Sequence, residues 1–345
     1  MEKVLITGIT GQDGAYLAKN LIEKGYDVYG AVRRGSTPKK GRLEFLNILD
    51  KVTYVPLELT EYSNVHRTLA NLKPKYIYNL AAQSFVQDSF IHPLLTSAIN
   101  FDGVQNILEA INLTGLDCKM YQASTSEMYG DVLSDPQDEN TPFNPLSPYA
   151  VSKCAAHHIV RNYRVAYGMN CSNGILFNHE SEMRGREFVT RKISSQMAEL
   201  SKGRDHPIQL GNFNSVRDWG YAPDFVEAME LIINSNEPDD FVVATNTIHS
   251  VREFFEISAS IAGFNPIFEG SDINEKCVDK NTGKILCEVN KEFFRPSDVV
   301  YLRGDYTKIN TKLGWKPKTS FSNLVEAMTK HDIDAANGKI NAYGI

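Results

Sequence analysis

The chain has 345 residues, which at roughly 150 residues per domain predicts about two domains. Its composition, with 42% hydrophobic and 23% charged residues, is typical of a folded globular protein and not of a disordered one. A formal net charge of −6 argues against binding to nucleic acid or to a membrane surface, so local cations must hold any phosphate-bearing ligand. No run of 18 apolar residues exists, and no transmembrane helix is predicted.

The cysteines indicate a reducing compartment. There are five of them, an odd number, and none forms a CxxC pair, which predicts free thiols and argues against a structural zinc site. We expect no bound metal. The apolar N-terminal segment is too short for a signal peptide and continues directly into a predicted strand. These features predict a cytoplasmic protein.

Residues 1–178 alternate short β-branched runs with helical patterns, which predicts an α/β fold with a Rossmann-type, doubly wound parallel sheet. The first predicted helix covers about 15–24. The predicted strands lie at 4–6, 27–32, 52–55, 76–80, 119–122 and 171–175.

Residues 179–345 are predicted to form mainly a smaller, mixed α/β substrate-binding domain. This domain is discontinuous, because segments around 212–250 are expected to return to the sheet side. Its predicted elements are helices near 189–202, 224–234, 251–262 and 321–334 and a hairpin within 273–289.

A glycine-rich turn separates the first strand from the first helix. Gly8, Gly11 and Gly14 have the spacing GxxGxxG and enclose Thr10, Gln12 and Asp13. Glycines at these positions permit a tight turn and close approach of a pyrophosphate to the helix N-terminus. A plain connecting turn is the alternative, but the βαβ pattern that follows favours a dinucleotide site.

The end of the second strand indicates which dinucleotide binds. NAD calls for an Asp or Glu there, whereas this sequence has Arg33, Arg34 and Ser36, which suit a 2′-phosphate. A solvated basic loop is the alternative. The sequence therefore predicts NADP. Further cofactor contacts are expected at the carboxyl ends of neighbouring strands, from Glu58, Leu59, Leu80, Ala81, Ala82 and Ser84.

A YxxxK pair lies at the start of the helix predicted after residue 148. Tyr149 and Lys153 share one helix face, which predicts that the ammonium lowers the tyrosine pKa from its usual value near 10. Tyr149 could then take a proton from a sugar hydroxyl while hydride leaves to a nicotinamide.

Seven stretches together carry a family resemblance. They are Gly8–Leu17 (GITGQDGAYL), Arg33–Ser36, Gln122–Gly130 (QASTSEMYG), Pro148–Lys153, Asn178–Lys192, Arg217–Gly220 and Arg295–Asp298. On these residues the chain resembles, over essentially its whole length, the extended short-chain dehydrogenase/reductases that act on nucleotide sugars. Within them it is most similar to the GDP-mannose 4,6-dehydratase family.

The resemblance implies a redox-neutral dehydration. Hydride moves from sugar C4 to NADP, water leaves across C5–C6, and hydride returns to C6. By the same resemblance, Thr125 hydrogen-bonds the C4 hydroxyl, Tyr149 is the base, Lys153 orients the ribose, and Glu127 removes the C5 proton. Ser126 stands where dTDP-glucose dehydratases carry Asp, so Glu127 is expected to serve both proton transfers.

The resemblance also implies binding residues. His179 and Arg184 are expected to contact the cofactor, although a histidine with satisfied hydrogen bonds in the core is the alternative for His179. The residues expected to contact the GDP-sugar are Ser84, Asn178, Val189, Lys192, Arg217, Arg295 and Asp298. For the arginines, exposed ion pairs are the alternative. A homo-oligomer, dimer or tetramer, is expected by analogy.

Three positions depart from the family pattern. Glu182-Met183-Arg184 replaces Pro-Arg-Arg, Leu95 replaces an aromatic residue, and Asp298 replaces Glu. The sequence therefore leaves two sugars open, GDP-mannose, which would give GDP-4-keto-6-deoxymannose, and a GDP-manno-heptose. A 4-reductase or epimerase is a further alternative, against which Glu127 argues. A non-enzymatic dinucleotide sensor would be expected to lack Tyr149 or Lys153.

Overall fold

The computed structural model describes residues 1–34, 40–293 and 301–340. Its strands are β1 Lys3–Thr7, β2 Asp27–Val32, β3 Thr53–Pro56, β4 Tyr76–Asn79, β5 Lys119–Thr125, β6 Cys171–Leu176, β7 Asn178–Glu180, β8 Ile208–Leu210, β9 Val216–Arg217, β10 Trp219–Tyr221, β11 Asp240–Val243, β12 His249–Ser250, β13 Pro266–Glu269, β14 Lys276–Asp279 and β15 Ile285–Val289. Its α-helices are α1 Gln12–Glu23, α2 Gly41–Phe45, α3 Tyr62–Leu72, α4 Val86–Ile91, α5 Pro93–Ser97, α6 Gly103–Thr114, α7 Pro148–Tyr167, α8 Val189–Ser201, α9 Ala222–Ile233, α10 Val251–Ile261, α11 Thr307–Leu313 and α12 Phe321–Ala336.

A parallel sheet in the order β11-β6-β5-β4-β1-β2-β3 forms the centre of the described residues. Side chains alternate between the two faces of each strand, so both faces are apolar and both are covered. On β1, Val4 and Ile6 pack in the core with α1 and α9, while Leu5 packs in the core with α3, α6 and α7. The predicted doubly wound Rossmann-type fold is confirmed.

The strand order reverses next to β1, which has β2 on one side and β4 on the other. In open parallel sheets, ligands bind in the crevice outside the carboxyl ends of the strands at such a reversal. The topology therefore places a binding crevice beside the loops that follow β1, β4 and β5.

A second core is built from later residues. A four-stranded sheet in the order β13-β14-β15-β8 packs with α8, α10 and α12 around Phe213, Phe254 and Trp219. The predicted hairpin is β14 and β15, which pair antiparallel around the turn that begins after Asp279. The chain also returns to the central sheet, because β11 pairs with β6 after α9.

Several boundaries differ from the predictions. Helix α1 begins at Gln12 and α9 at Ala222, both earlier than predicted, and β5 extends to Thr125. Strand β11 was not among the predicted strands. Its sequence DFVV is short and follows a polar loop, so no alternating pattern marked it. Helix α10 begins where predicted, since Ser250 and Glu253 form a capping box.

The five cysteines are free thiols, and burial raises the pKa of Cys118, Cys154, Cys171 and Cys277 to about 12. Within the described ranges, no group of three or more His, Cys, Asp or Glu side chains could hold a metal ion. Every helix in those ranges is too short or too polar to cross a membrane.

Candidate active site

A cavity of about 1180 Å³ opens at the carboxyl edge of the central sheet. It brings together most of the residues singled out from the sequence. The predicted residues that line it are Gly8, Thr10, Gly11, Gln12, Asp13, Gly14, Arg33, Arg34, Glu58, Leu59, Leu80, Ala81, Ala82, Ser84, Thr125, Ser126, Glu127, Tyr149, Lys153, Asn178, His179 and Arg184. Three predicted residues, Ser36, Arg295 and Asp298, lie outside the described residues.

The glycine turn is packed so closely that side chains would not fit. Gly8 has φ +69, and a Cβ there would lie 2.9 Å from the Ala81 nitrogen. A Cβ on Gly14 would lie 2.4 Å from the Gly8 carbonyl oxygen, which accepts a hydrogen bond of 2.8 Å from the Gly11 nitrogen. The N-terminus of α1 therefore borders the cavity with no side chain at Gly11 or Gly14, and a helix N-terminus of this kind suits a pyrophosphate.

A chain of buried side chains joins the ends of three strands. The Thr7 hydroxyl donates to Asn79 Oδ1 at 2.6 Å and accepts from the backbone N–H groups of Leu80 and Ala81 at 3.0 and 3.1 Å. Asn79 Nδ2 then donates to Gln122 Oε1 at 2.7 Å. This chain fixes β1, β4 and β5 against one another. Isolated polar residues inside strands carry no spacing signal, so the sequence does not predict this chain.

Two arginines follow β2 at one wall of the cavity. Arg33 and Arg34 both line it, and both side chains are exposed. Glu58, which is also exposed, lines the wall after β3. The cations lie where Rossmann folds bind the adenosine ribose, and no carboxylate ends β2.

A histidine and an aspartate that line the cavity contact each other. His179 Nε2 is 3.0 Å from Asp13 Oδ2, and Nδ1 is 2.7 Å from the Phe177 carbonyl oxygen. Burial lowers the pKa of His179, but the Asp13 carboxylate and the Phe177 carbonyl outweigh it and raise the pKa above 6.5. Both nitrogens therefore have partners within the protein, and His179 and Asp13 still border the cavity.

Tyr149 lies in the first turn of α7, which begins at Pro148 and is capped by the Ser147 hydroxyl. The phenol is buried. Burial raises its pKa to about 12, although the Thr125 side chain acts to lower it. The nearby Glu127 carboxylate acts in the same direction as burial.

The prediction that Lys153 lowers the pKa of Tyr149 is wrong for this structure. Lys153 Nζ donates to the Ala123 carbonyl oxygen at 2.6 Å, and burial lowers its own pKa to about 8. Burial of the phenol therefore dominates.

Glu127 belongs to a short turn, Ser126–Met128, that follows β5 directly. Thr125 caps this turn by accepting a hydrogen bond of 3.3 Å from the Glu127 nitrogen. Ser126 is buried, whereas Glu127 is half-buried and lines the cavity beside Tyr149. A carboxylate therefore borders the same cavity as the buried phenol.

The loop after β7 carries Arg184. Its guanidinium lies 3.6 Å from the centre of the Phe188 ring, and its Nε is 3.1 Å from Glu180 Oε2. Arg42 of α2 fixes the loop by donating to the Met183 carbonyl oxygen at 2.8 Å. Arg184 therefore faces the cavity from a supported loop.

Three predicted sugar-nucleotide residues do not line the cavity. Val189 begins α8, Lys192 lies one turn later with its ammonium 4.2 Å from the centre of the Phe293 ring, and Arg217 lies on β9. Conversely, several cavity residues were missed, namely Gln83, Val86, Asp88, Ile99 and Phe188. Gln83 could have been inferred from its place between Ala82 and Ser84, whereas no pattern marked Asp88.

The doubly wound sheet, the glycine turn and the buried Tyr149 beside Thr125 define a short-chain dehydrogenase/reductase of the extended type. A model of the family described as GDP-mannose 4,6 dehydratase matches residues 5–328. The GDP-mannose 4,6 dehydratase of Cricetulus griseus is 46% identical over 98% of this chain and 93% of its own length. That of Vibrio cholerae is 43% identical over 97% and 95%. The chain belongs to the GDP-mannose 4,6-dehydratase family.

Solved structures agree on the fold. The UDP-glucose 4-epimerase of Thermus thermophilus, in complex with NAD, superposes with a TM-score of 0.79 at 25% identity, covering 96% of this chain and 98% of the other. RMD from Pseudomonas aeruginosa, complexed with NADPH, gives 0.74 at 21% identity over 97% and 100%. At 21% identity, the second likeness concerns the fold alone.

Proposed function

We propose that this protein is an NADP-dependent GDP-mannose 4,6-dehydratase that forms GDP-4-keto-6-deoxymannose. The observation that carries the proposal is the position of Glu127, which borders the same cavity as Tyr149 and Thr125 in a chain of this family. An oxidation at C4 alone needs no such carboxylate, whereas the elimination of water needs a base at C5. The relatives reported above carry the GDP-mannose name, which favours mannose over a heptose.

NADP fits the cofactor end of the cavity. The bare amides of the glycine turn suit the pyrophosphate, and Arg33 and Arg34 suit a 2′-phosphate, with Ser36 as a further contact. NADPH binding by RMD, which shares the fold, is consistent with this choice. When bound, NADP accepts a hydride from C4 and returns it to C6, so no cofactor is consumed.

The remaining proposed cofactor contacts line the same cavity. They are Gly8, Thr10, Gly11, Gln12, Asp13, Gly14, Glu58, Leu59, Leu80, Ala81, Ala82, Ser84, Tyr149, Lys153, His179 and Arg184. Lys153, whose ammonium is held by the Ala123 carbonyl, would also hydrogen-bond the ribose.

Tyr149 acts as the base at the C4 hydroxyl. Thr125 lines the cavity with Tyr149 and would bind the substrate hydroxyl, which would orient that hydroxyl toward the phenol. The phenol pKa of about 12 must fall for this step, and positive charge brought in by the bound nicotinamide would lower it.

Glu127 acts as the base at C5, where the C4 ketone makes the proton acidic. The same carboxyl group then gives its proton to the departing C6 hydroxyl, because Ser126 beside it is buried and is no carboxylic acid. The proton that C5 regains in the product comes from solvent. One residue therefore performs both proton transfers.

The GDP portion would bind beyond the cavity described above. Arg217, Lys192 and Arg295 supply the positive charge that a diphosphate needs on a chain with net charge −6. The other proposed substrate contacts are Ser84, Asn178, Val189 and Asp298. We further propose a cytoplasmic homo-oligomer, dimer or tetramer. Residues 1–178 would form its cofactor domain, joined by segments around 212–250, and the rest of 179–345 would mainly bind substrate.

The test is incubation with GDP-mannose in deuterated water, with the GDP-manno-heptose in parallel. We expect a 4-keto-6-deoxy product from GDP-mannose with deuterium at C5 and no accumulation of NADPH. Net NADPH turnover without exchange at C5 would overturn the proposal in favour of a reductase. Preferential turnover of the heptose would correct the sugar and retain the mechanism.

A further inference from the structure

Helix α7 carries a third buried polar side chain on the face of Tyr149 and Lys153. His157 lies one turn beyond Lys153, and residues spaced by four lie on one side of a helix. Its side chain is almost fully buried, and its Nδ1 is 3.2 Å from the Ser124 hydroxyl. Ser124 directly precedes Thr125, so His157 contacts the segment that carries the reacting end of the cavity.

Helix α7 therefore holds two consecutive residues at the end of β5. Lys153 Nζ donates to the Ala123 carbonyl oxygen, and His157 contacts Ser124. Thr125 follows directly, and its side chain acts to lower the pKa of Tyr149. No step of the proposed reaction uses the His157 contact.

Strand β11 supports His157 from the opposite side. Asp240 Oδ2 is 3.7 Å from His157 Nε2, and the carboxylate is itself held by Arg164 at 2.9 Å and by Asn173 Nδ2 at 2.8 Å. Nδ1 hydrogen-bonds the Ser124 hydroxyl, which also contacts Asn173 Oδ1 at 3.4 Å, whereas Nε2 faces the Asp240 carboxylate beyond hydrogen-bond distance. The imidazole is thus held at Nδ1 and has a carboxylate near Nε2.

His157 works as a neutral ring. Burial lowers its pKa to about 4, and Asp240 on β11 only partly opposes this. His158, Arg164 and Arg161 of α7 lower the pKa further, whereas Ser124 of β5 and Asn173 of β6 are uncharged. The side chain therefore keeps the same hydrogen-bonding role across the neutral range.

We propose that His157 is a positioning residue that, by holding Ser124, fixes the Thr125 hydroxyl against Tyr149 for deprotonation of the C4 hydroxyl. The inference rests on the proposed function, because it concerns the step that Tyr149 performs. Its magnitude follows from geometry, since a misplacement of about 1 Å costs on the order of 100-fold in rate.

The experiment compares His157→Phe, His157→Asn, Ser124→Ala and the double variant His157→Phe/Ser124→Ala. In His157→Phe we expect kcat for GDP-mannose to fall by roughly 10- to 100-fold, with KM and the Kd for NADP unchanged. The acidic limb of the kcat pH profile should move upward, because the Thr125 side chain, which acts to lower the tyrosine pKa, is displaced. His157→Asn, whose amide lies near the position of Nδ1, should restore most of the rate.

The controls separate positioning from folding. His158→Phe changes the exposed neighbour on the same helix and should behave as wild type. Losses that do not add in the double variant support the Ser124 contact, whereas additive losses overturn it. Unchanged kcat in His157→Phe, or a lower melting temperature with an unshifted pH profile, also overturns the proposal. If His157→Phe does not fold, His157→Asn and Ser124→Ala decide.

Failure of the proposed function would be distinguishable. If the wild type does not convert GDP-mannose, the proposed function is wrong. The positioning role is then tested by the titration of Tyr149, measured from the ultraviolet absorbance of its phenolate. The difference spectrum against Tyr149→Phe gives its titration in wild type and in Ser124→Ala. An upward shift in Ser124→Ala supports positioning, and identical titrations overturn it.

Discussion

At the cofactor end of the cavity, the shape comes from backbone atoms: Gly8 and Gly14 leave no room for a Cβ, and the helix amides face the opening. At the reacting end it comes from buried side chains, since Tyr149 and Lys153 both have pKa values displaced by burial. The cofactor end therefore depends on close backbone packing that leaves no room for side chains. The reacting end depends on how burial shifts the pKa values of its side chains. Substitutions at the two ends should therefore fail in different ways.

The largest effect is expected for Glu127→Gln at the reacting end. Loss of the carboxylate removes the base at C5, so turnover should fall by on the order of 10³-fold while NADP binding is retained. Product formation followed by mass spectrometry and cofactor binding followed by fluorescence measure the two quantities. Full turnover in this variant would show that another group removes the C5 proton.

Gly14→Ala should affect the cofactor end instead. The new Cβ would meet the Gly8 carbonyl oxygen at 2.4 Å, and such overpacking costs about 1–3 kcal/mol, which predicts roughly 5- to 100-fold weaker NADP binding. Gly25→Ala is the matched control on the turn after α1, where φ is +84 and nothing lies within 4 Å. It should lower the melting temperature alone. Equal NADP affinity in both variants would show that close packing at Gly14 does not control cofactor binding.

Exchange of both Arg33 and Arg34 for Ser tests the choice of dinucleotide. Each lost cation weakens contact with the 2′-phosphate, so the preference for NADP over NAD should fall by about tenfold or more. Titration of both dinucleotides into the purified protein checks this. An unchanged preference would show that the two arginines are solvated and do not contact the 2′-phosphate.

The last effect concerns stability against acid and leaves turnover at neutral pH unchanged. The pKa of His157 is about 4 in the fold and 6.5 in the unfolded chain, so the unfolded chain binds the proton first as pH falls. Stability should decline between pH 6.5 and 4, by up to about 3 kcal/mol at the acid end. Urea unfolding of His157→Phe should show a weaker decline over that range, and His158→Phe, which loses one group that lowers the pKa of His157, should fall between His157→Phe and the wild type.

The sequence predicted the cofactor end more completely than the reacting end. Glycine spacing after a strand has one dominant structural cause, and the structure places Gly8, Gly11 and Gly14 at the cavity as expected. The YxxxK spacing correctly placed Tyr149 and Lys153 together, but it could not show that the ammonium faces the Ala123 carbonyl. Burial depends on all surrounding elements, so a pKa is not readable from spacing.

Other features depended on tertiary contacts between distant segments. Strand β11 lies beside β6 although the two strands are far apart in the chain, and Thr7 meets Asn79 across two strands. Phe188 and Asp88 line the cavity without any motif. The predicted substrate residues Val189, Lys192 and Arg217 do not line it, and their role remains a prediction.

The hydrogen-bonded chain that begins at Thr7 joins the cofactor end of the cavity to its reacting end. It runs through Asn79 to Gln122, whose amide donates to the Ala123 carbonyl oxygen that also accepts from Lys153. Replacement of Asn79, its central amide, would leave Thr7 and Gln122 each without one buried hydrogen-bond partner. Residues at the cavity rim can therefore be replaced one at a time, whereas Thr7, Asn79 and Gln122 can be replaced only together.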